Sequence, residues 1–146
     1  MNFASSSSGA NVLTSSKGID NAKAVLSSST ETYMTVGECN SSRMETLIIN
    51  LSDDVLIDTI MVSNHEDFSS PLGQVKFYGS IINPPSGGNW RHLGTLNPKP
   101  DEYANDQILL IENAEEGGQG LVRYIRVEMT GQERNDNGLY CTLTRI

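Results

Sequence analysis

Apolar and polar side chains alternate most strictly over residues 123–130, with Ile125, Val127 and Met129 on one side and Tyr124, Arg126, Glu128 and Thr130 on the other. A repeat of two marks a half-buried strand, because successive side chains of extended backbone point to opposite faces. A polar stretch, 131–138, follows; its Asn137-Gly138 pair suits a turn with positive φ, and Leu139, Cys141 and Leu143 then resume the alternation. This spacing predicts a closing hairpin with Cys141 facing inward. Upstream, Leu47, Ile49 and Leu51 alternate with Ile48 and Asn50, and Ser52-Asp53-Asp54 predicts a tight turn into a strand over 56–63. That strand has apolar residues on both faces and is expected to be central. Val75 and Phe77 alternate with Lys76 and Tyr78, 90–96 makes another strand, and 108–111 is expected to be a buried one.

Between these segments lie stretches that only loops can use, Asn83-Pro84-Pro85-Ser86-Gly87-Gly88 and Asn97-Pro98-Lys99-Pro100. Short strands at this spacing, without intervening helices, predict an all-β antiparallel sandwich of jelly-roll type with roughly eight strands. Ile19, Ala22 and Leu26 fall on one side of a single helical turn, too short to stand alone. The serine-rich, polar residues 1–18 are expected to form a flexible N-terminal arm, and 19–146 the sandwich.

The length of 146 residues suits one domain with a sizeable core. A formal net charge of −8 argues against nucleic acid or an anionic membrane as the main partner, since phosphate recognition needs clustered Lys and Arg. No apolar run approaches the roughly 20 residues of a membrane span, so direct membrane insertion by this segment is not expected. The first residues lack the basic and apolar regions of a signal peptide. The expectation is an excised domain of a longer chain. Catalysis finds little support: there are two histidines, His65 and His92, no HExxH, no GxSxG and no CxxC. Asp53-Asp54, Glu66-Asp67 and Glu115-Glu116 lie beside turn residues, where solvated charges are ordinary. No enzymatic role is expected.

Several segments together resemble a known family. Arg123-Tyr-Ile-Arg-Val, a polar loop and then Tyr140-Cys-Thr-Leu-Thr-Arg-Ile is similar to the last two strands of galactose-binding-like, discoidin-type sandwiches, and among them the SUN domains. The opening Asn2-Phe-Ala-Ser with Gly9-Ala-Asn-Val-Leu, the stretch Phe68-Ser-Ser-Pro-Leu-Gly-Gln-Val-Lys-Phe and Trp90-Arg-His-Leu-Gly-Thr-Leu agree in order. The resemblance implies an early strand at Ala24-Val25-Leu26 and a core anchor at Tyr33-Met34. It also implies a disulfide between Cys39 and Cys141, the alternative being two buried free thiols. Closing a loop of about 100 residues would stabilise the fold by roughly 4 to 5 kcal/mol and would place the domain in an oxidising lumen.

In SUN domains that bind KASH peptides, a histidine, a serine and a tyrosine receive the terminal carboxylate of the peptide; the matching positions are His65, Ser69 or Ser70, and Tyr140. Imidazole and hydroxyl groups suit a carboxylate's lone pairs, although ordinary loop polarity explains the same residues. Those domains also carry a long inserted hairpin, the KASH lid, before the first cysteine. Only residues 27–38 fill that gap here. The sequence is therefore closer to the lid-less mid-SUN (Sun-like, osteopotentia-type) branch. This implies a membrane-anchored protein of the endoplasmic reticulum or nuclear envelope whose lumenal domain assists or protects membrane and lumenal proteins. Any oligomer would form through regions outside this segment. No cofactor is implied, and the loop Thr35-Val36-Gly37-Glu38-Cys39 leaves open a structural cation. Asn40-Ser-Ser and Asn50-Leu-Ser are glycosylation sequons at a frequency that chance supplies. A carbohydrate-binding discoidin-like module is the rival reading, with Trp90, Arg91 and His92, helped by Tyr103, as the sugar site.

Overall fold

The computed structural model describes residues 2–29, 31–37, 39–64, 72–82, 89–98, 107–111, 120–132, 140–143 and 146. In chain order these form a 3-10 turn η1 (Ser6–Ser8), β1 (Asn11–Ser15), β2 (Ile19–Asp20), a second 3-10 turn η2 (Ala22–Leu26), β3 (Met34–Val36), β4 (Met44–Leu56), β5 (Thr59–Val62), β6 (Leu72–Ser80), β7 (Arg91–Leu96), β8 (Gln107–Leu110), β9 (Leu121–Gly131) and β10 (Cys141–Leu143). The main sheet has the order β1-β4-β9-β6-β7; β10-β3-β2 and β5-β8 make two smaller sheets. Every described pairing is antiparallel. The expected all-β sandwich is what forms.

The alternation sets which face is buried. On β4 Leu47, Ile49 and Leu51 point inward, on β6 Val75 and Phe77, and on β9 Ile125, Val127 and Met129, all of them buried. Met34, Val36, Cys141 and Leu143 close the core from the small sheet, and Ile60 and Val62 from β5. Glu45 continues the inward row of β4 and is buried too, with Arg43 Nε 3.0 Å from its Oε1. Gly18 leaves room for that carboxylate: a Cβ there would stand 2.3 Å from Glu45 Oε1.

Several local expectations change, each for a tertiary reason. β9 is paired along one edge with β4 and along the other with β6, so both its rows of backbone groups are already used. The last strand therefore cannot form the expected hairpin with it; β10 pairs with β3 instead, at Cys141↔Val36 and Leu143↔Met34. The 52–54 stretch is not a reversal. β4 runs on through it to Leu56, absorbing the extra residues as a register shift between Asn50 and Val55, with Ser52 at φ 72°. The segment expected as a central strand over 56–63 is instead β5, in a two-stranded ribbon with β8. Its apolar outer face is exposed: Met61, Ile108 and Leu110 lie on the solvent side, so 108–111 is only half buried.

Ala24-Val25-Leu26, which the family resemblance implied as a strand, forms η2; its buried Ala24, Val25 and Leu26 keep the one-sided packing of the helical-turn reading. Of the expected core anchor Tyr33-Met34, Met34 is fully buried, whereas Tyr33 is only half-buried and lies outside the core. Within the stretch expected as an arm, Asn11–Ser15 pairs with β4 at the edge of the main sheet, and Ser5 caps η1 by accepting from the Ser7 N–H.

Candidate functional site

The covalent tie between Cys39 and Cys141 organises one end of the sandwich. Cys141 lies on β10 and Cys39 in the connection from β3 to β4, with Cα atoms 5.6 Å apart and a sequence separation of 102. The end of β9 is part of the same knot. Gly131 N–H donates to Asn40 O at 2.9 Å, and a Cβ on Gly131 would lie 2.3 Å from Cys39 C and O. Only a residue without a side chain lets the loop backbone pass this close. On the neighbouring strand Gly73 meets the same constraint, since a Cβ there would stand 2.4 Å from Gly131 O.

Tyr140, next to the disulfide, is about half exposed and is positioned by β10. The other three residues of the expected carboxylate site, His65, Ser69 and Ser70, lie outside the described residues. In the loop expected to leave room for a cation, Thr35 and Val36 belong to β3 and Gly37 N–H donates to Gly18 O at 2.8 Å. Among the described residues no group of three or more His, Cys, Asp or Glu comes together.

The sequons differ in setting. Asn50 sits within β4, and Asn40 is on the turn after the disulfide, where its Oδ1 accepts from Ser42 N–H at 3.0 Å and from Ser42 Oγ–H at 2.7 Å. Of the carboxylate pairs, Asp53 and Asp54 are exposed and face Arg123, whose Nε is 2.9 Å from Asp54 Oδ1. Such a solvated pair contributes about 0–1 kcal/mol. The other two pairs lie outside the described residues.

Trp90, Arg91 and His92 sit at the start of β7, and the outer face of the main sheet determines what they do. The register Arg126↔Tyr78↔His92 runs across β9, β6 and β7. The Arg126 guanidinium stacks 4.6 Å from the Tyr78 ring centre and 5.2 Å from that of Trp90, while Tyr78 and His92 meet edge to face at 5.4 Å. His92 Nε2 is 2.9 Å from Thr95 Oγ1, and Arg91 Nη2 donates to Leu121 O. One face of the Trp90 ring thus already carries a cation–π partner. Arg126 itself was legible in the sequence only as an outward residue of β9. Its meeting with Trp90 depends on which strands become neighbours. Arg126 Nη2 lies 3.5 Å from Glu128 Oε1, and its Nε is buried with no hydrogen-bond partner among the described residues.

Sequence reasoning missed an opening on the other side of the molecule. A cavity of about 350 Å³ is lined by Phe3, Leu51, Ile60, Met61, Phe77 and Ile125, with Thr59 and Ser63 among its few hydroxyl-bearing neighbours. The only sequence signal for it was the surplus of apolar residues on both faces of 56–63.

Comparison with known proteins agrees with this architecture. In Arabidopsis thaliana, SUN domain-containing protein 4 is 28% identical over 148 residues, a match that takes in 99% of this chain. The chain spans only 22% of that relative's length. Among solved structures, allantoicase from Saccharomyces cerevisiae superposes with a TM-score of 0.72 at 14% identity, covering 99% of this chain and 41% of that one. A putative chitobiase fragment from Bacteroides thetaiotaomicron gives 0.69 at 13% identity over 94% and 86%. The family 32 carbohydrate-binding module of C. perfringens NanJ, solved with galactose, gives 0.62 at 10% identity over 93% and 88%. At these identities the structural likeness is one of fold. Residues 15–146 match the Sad1 / UNC-like C-terminal family, and with its antiparallel sandwich and Cys39–Cys141 tie the chain belongs to that family, the SUN domains.

Proposed function

We propose that this SUN domain is a non-enzymatic, lumenal protein-interaction module of a membrane-anchored protein in the endoplasmic reticulum or nuclear envelope. We further propose that it is of the mid-SUN type, which assists or protects membrane and lumenal proteins. The observation that carries the reading is the short connection between η2 and β3. Leu26 ends the turn and Met34 begins the strand, and none of the described residues among 27–33 is in a strand. A hairpin able to take up a KASH peptide as an added strand does not fit in that span, and added-strand pairing is what supplies main-chain hydrogen bonds in such recognition. The disulfide supports an oxidising compartment, where such bonds persist. A sugar platform at Trp90 is less well supported, because Arg126 occupies one face of that ring.

The test is purification of the parent protein from native membranes in mild detergent, followed by identification of what accompanies it. Membrane and lumenal folding clients without enrichment of KASH-type proteins are expected. Enrichment of KASH-type proteins, lost on His65→Ala or Tyr140→Phe in a domain of unchanged melting temperature, would instead assign the nuclear-envelope bridging role.

A further inference from the structure

Strand β5 has one edge in use, and its other edge is open at Thr59 and Met61, between Ile57, whose N–H donates to Gly120 O at 2.9 Å, and Ser63, which is already paired. Its register with β8 is Thr59↔Leu110, Ile60↔Leu109, Met61↔Ile108 and Val62↔Gln107, and the bond from Ile111 N–H to Asp58 O, 2.9 Å, falls in the same register. That bond fixes the phase of the ladder. In an antiparallel pair, residues alternate between those that exchange both backbone bonds with the partner and those that turn both groups away. Ile60 and Val62 therefore face β8, whereas the N–H and C=O of Thr59 and Met61 point to the opposite edge. Among the described residues nothing accepts from or donates to them there.

What lies along that edge is the apolar cavity of about 350 Å³, with Phe77 and Ile125 from the main sheet at its base and Ile60 beside it. Its size falls at the lower end of ligand pockets, about 300 Å³. The neighbouring outer face of the ribbon adds exposed Met61, Ile108 and Leu110. An apolar hole combined with a row of open backbone groups suits one kind of occupant better than others. A hydrocarbon or small apolar molecule would leave the Thr59 and Met61 groups unpaired once covered, at a cost in free energy. A sugar would find few hydroxyl partners.

We propose that the open edge of β5 receives an extended peptide segment, whose main chain pairs with Thr59 and Met61 while one bulky apolar side chain enters the cavity. The chemistry recognised is thus an unfolded or extended apolar stretch of protein, read by backbone pairing and a single side-chain pocket. The inference rests on the protein-interaction reading only in taking the occupant to be protein, and its peptide-binding test uses the purified domain, independent of compartment or parent chain.

The experiment measures binding, by calorimetry or fluorescence anisotropy, of alternating Thr/Ser nonapeptides with a central Leu, Phe or Ala. N-methylated versions block the pairing amides. The Leu or Phe peptides are expected to bind, the Ala peptide at least tenfold more weakly, and the N-methylated peptides at least tenfold more weakly again. Thr59→Pro removes the outward N–H together with the exposed hydroxyl bond to Asp58 Oδ1, a change tolerated at a strand's free edge, and Ala4→Phe fills the cavity from its rim; each should weaken binding at least tenfold at an unchanged melting temperature. Should Thr59→Pro unfold the domain, Ala4→Phe and the N-methylated peptides still decide the matter. Absence of binding at millimolar peptide overturns the proposal. So does equal binding of methylated and parent peptides, which would make the cavity a site for apolar groups without strand pairing. If the variants retain all clients in the membrane purification, the edge assignment fails while the protein-interaction role stands.

Discussion

Breaking the Cys39–Cys141 bond should destabilise the domain by an amount that the topology sets. The two residues are 102 positions apart, and in the chain-entropy account a crosslink closing a loop of that size restricts the unfolded chain by an amount equivalent to about 4.7 kcal/mol at 25 °C. For a domain near 150 residues each kcal/mol moves the melting temperature by roughly 2–4 °C, so full reduction should lower it by about 10–20 °C. The assay is thermal unfolding followed by circular dichroism, comparing oxidised protein, protein reduced to two titratable thiols, Cys141→Ser and the double variant Cys39→Ala/Cys141→Ala. Reduction isolates the crosslink, because both sulfurs stay in place. Cys141→Ser adds the burial of a hydroxyl at a fully buried position and should melt lowest. If the reduced wild-type protein, with both thiols titrated, melts within about 3 °C of the oxidised form, the reasoning that a long unfolded loop is being restrained is wrong.

Two further expectations concern packing. Gly131→Ala would drive a methyl into the Cys39 backbone and should cost about 2–3 kcal/mol in urea unfolding with an unchanged m-value; a loss under about 0.5 kcal/mol would mean the loop moves away freely. Trp90→Ala removes one of the two rings stacked on Arg126 and should cost about 1 kcal/mol, with wild type and variant equally silent on a glycan array. Specific glycan binding by the wild type that the variant loses would return the carbohydrate reading to the front.

Much of the fold was legible because its strongest strands carry their inward and outward faces in the sequence. Ile125, Val127 and Met129 were assigned to the core from alternation alone, and the same holds for Leu47, Ile49, Leu51, Val75 and Phe77. What alternation cannot report is which edge a strand will find free. β10 carries the right pattern for a hairpin, yet β9 has no edge left for it. The same ignorance of neighbours made 56–63 look central, since apolar residues on both faces mean burial only if something covers the second face. On β5 Met61 stays exposed. β1 was hidden for the opposite reason: Asn11, Thr14 and Ser15 are polar, and an edge strand with an exposed face needs few apolar residues. Of the candidate site, the cysteine pair came through a family likeness. The Arg126 stack was invisible because it joins residues 36 and 48 positions apart, Trp90 and Tyr78 to Arg126, across a sheet order that local pattern does not encode.

The order of the main sheet has a bearing on how the chain is made. Its middle member, β9, comes late: β4 begins at Met44 and β9 ends at Gly131. At about 5–20 residues per second, β4 and β6 must wait on the order of several seconds of ribosomal synthesis before the ribbon that joins them has emerged. During that interval each offers the flank reserved for β9 to any passing strand, and Cys39 has no native partner thiol until Cys141 is made. Until its final quarter is translated, the nascent domain thus carries strand edges open to misplaced pairing.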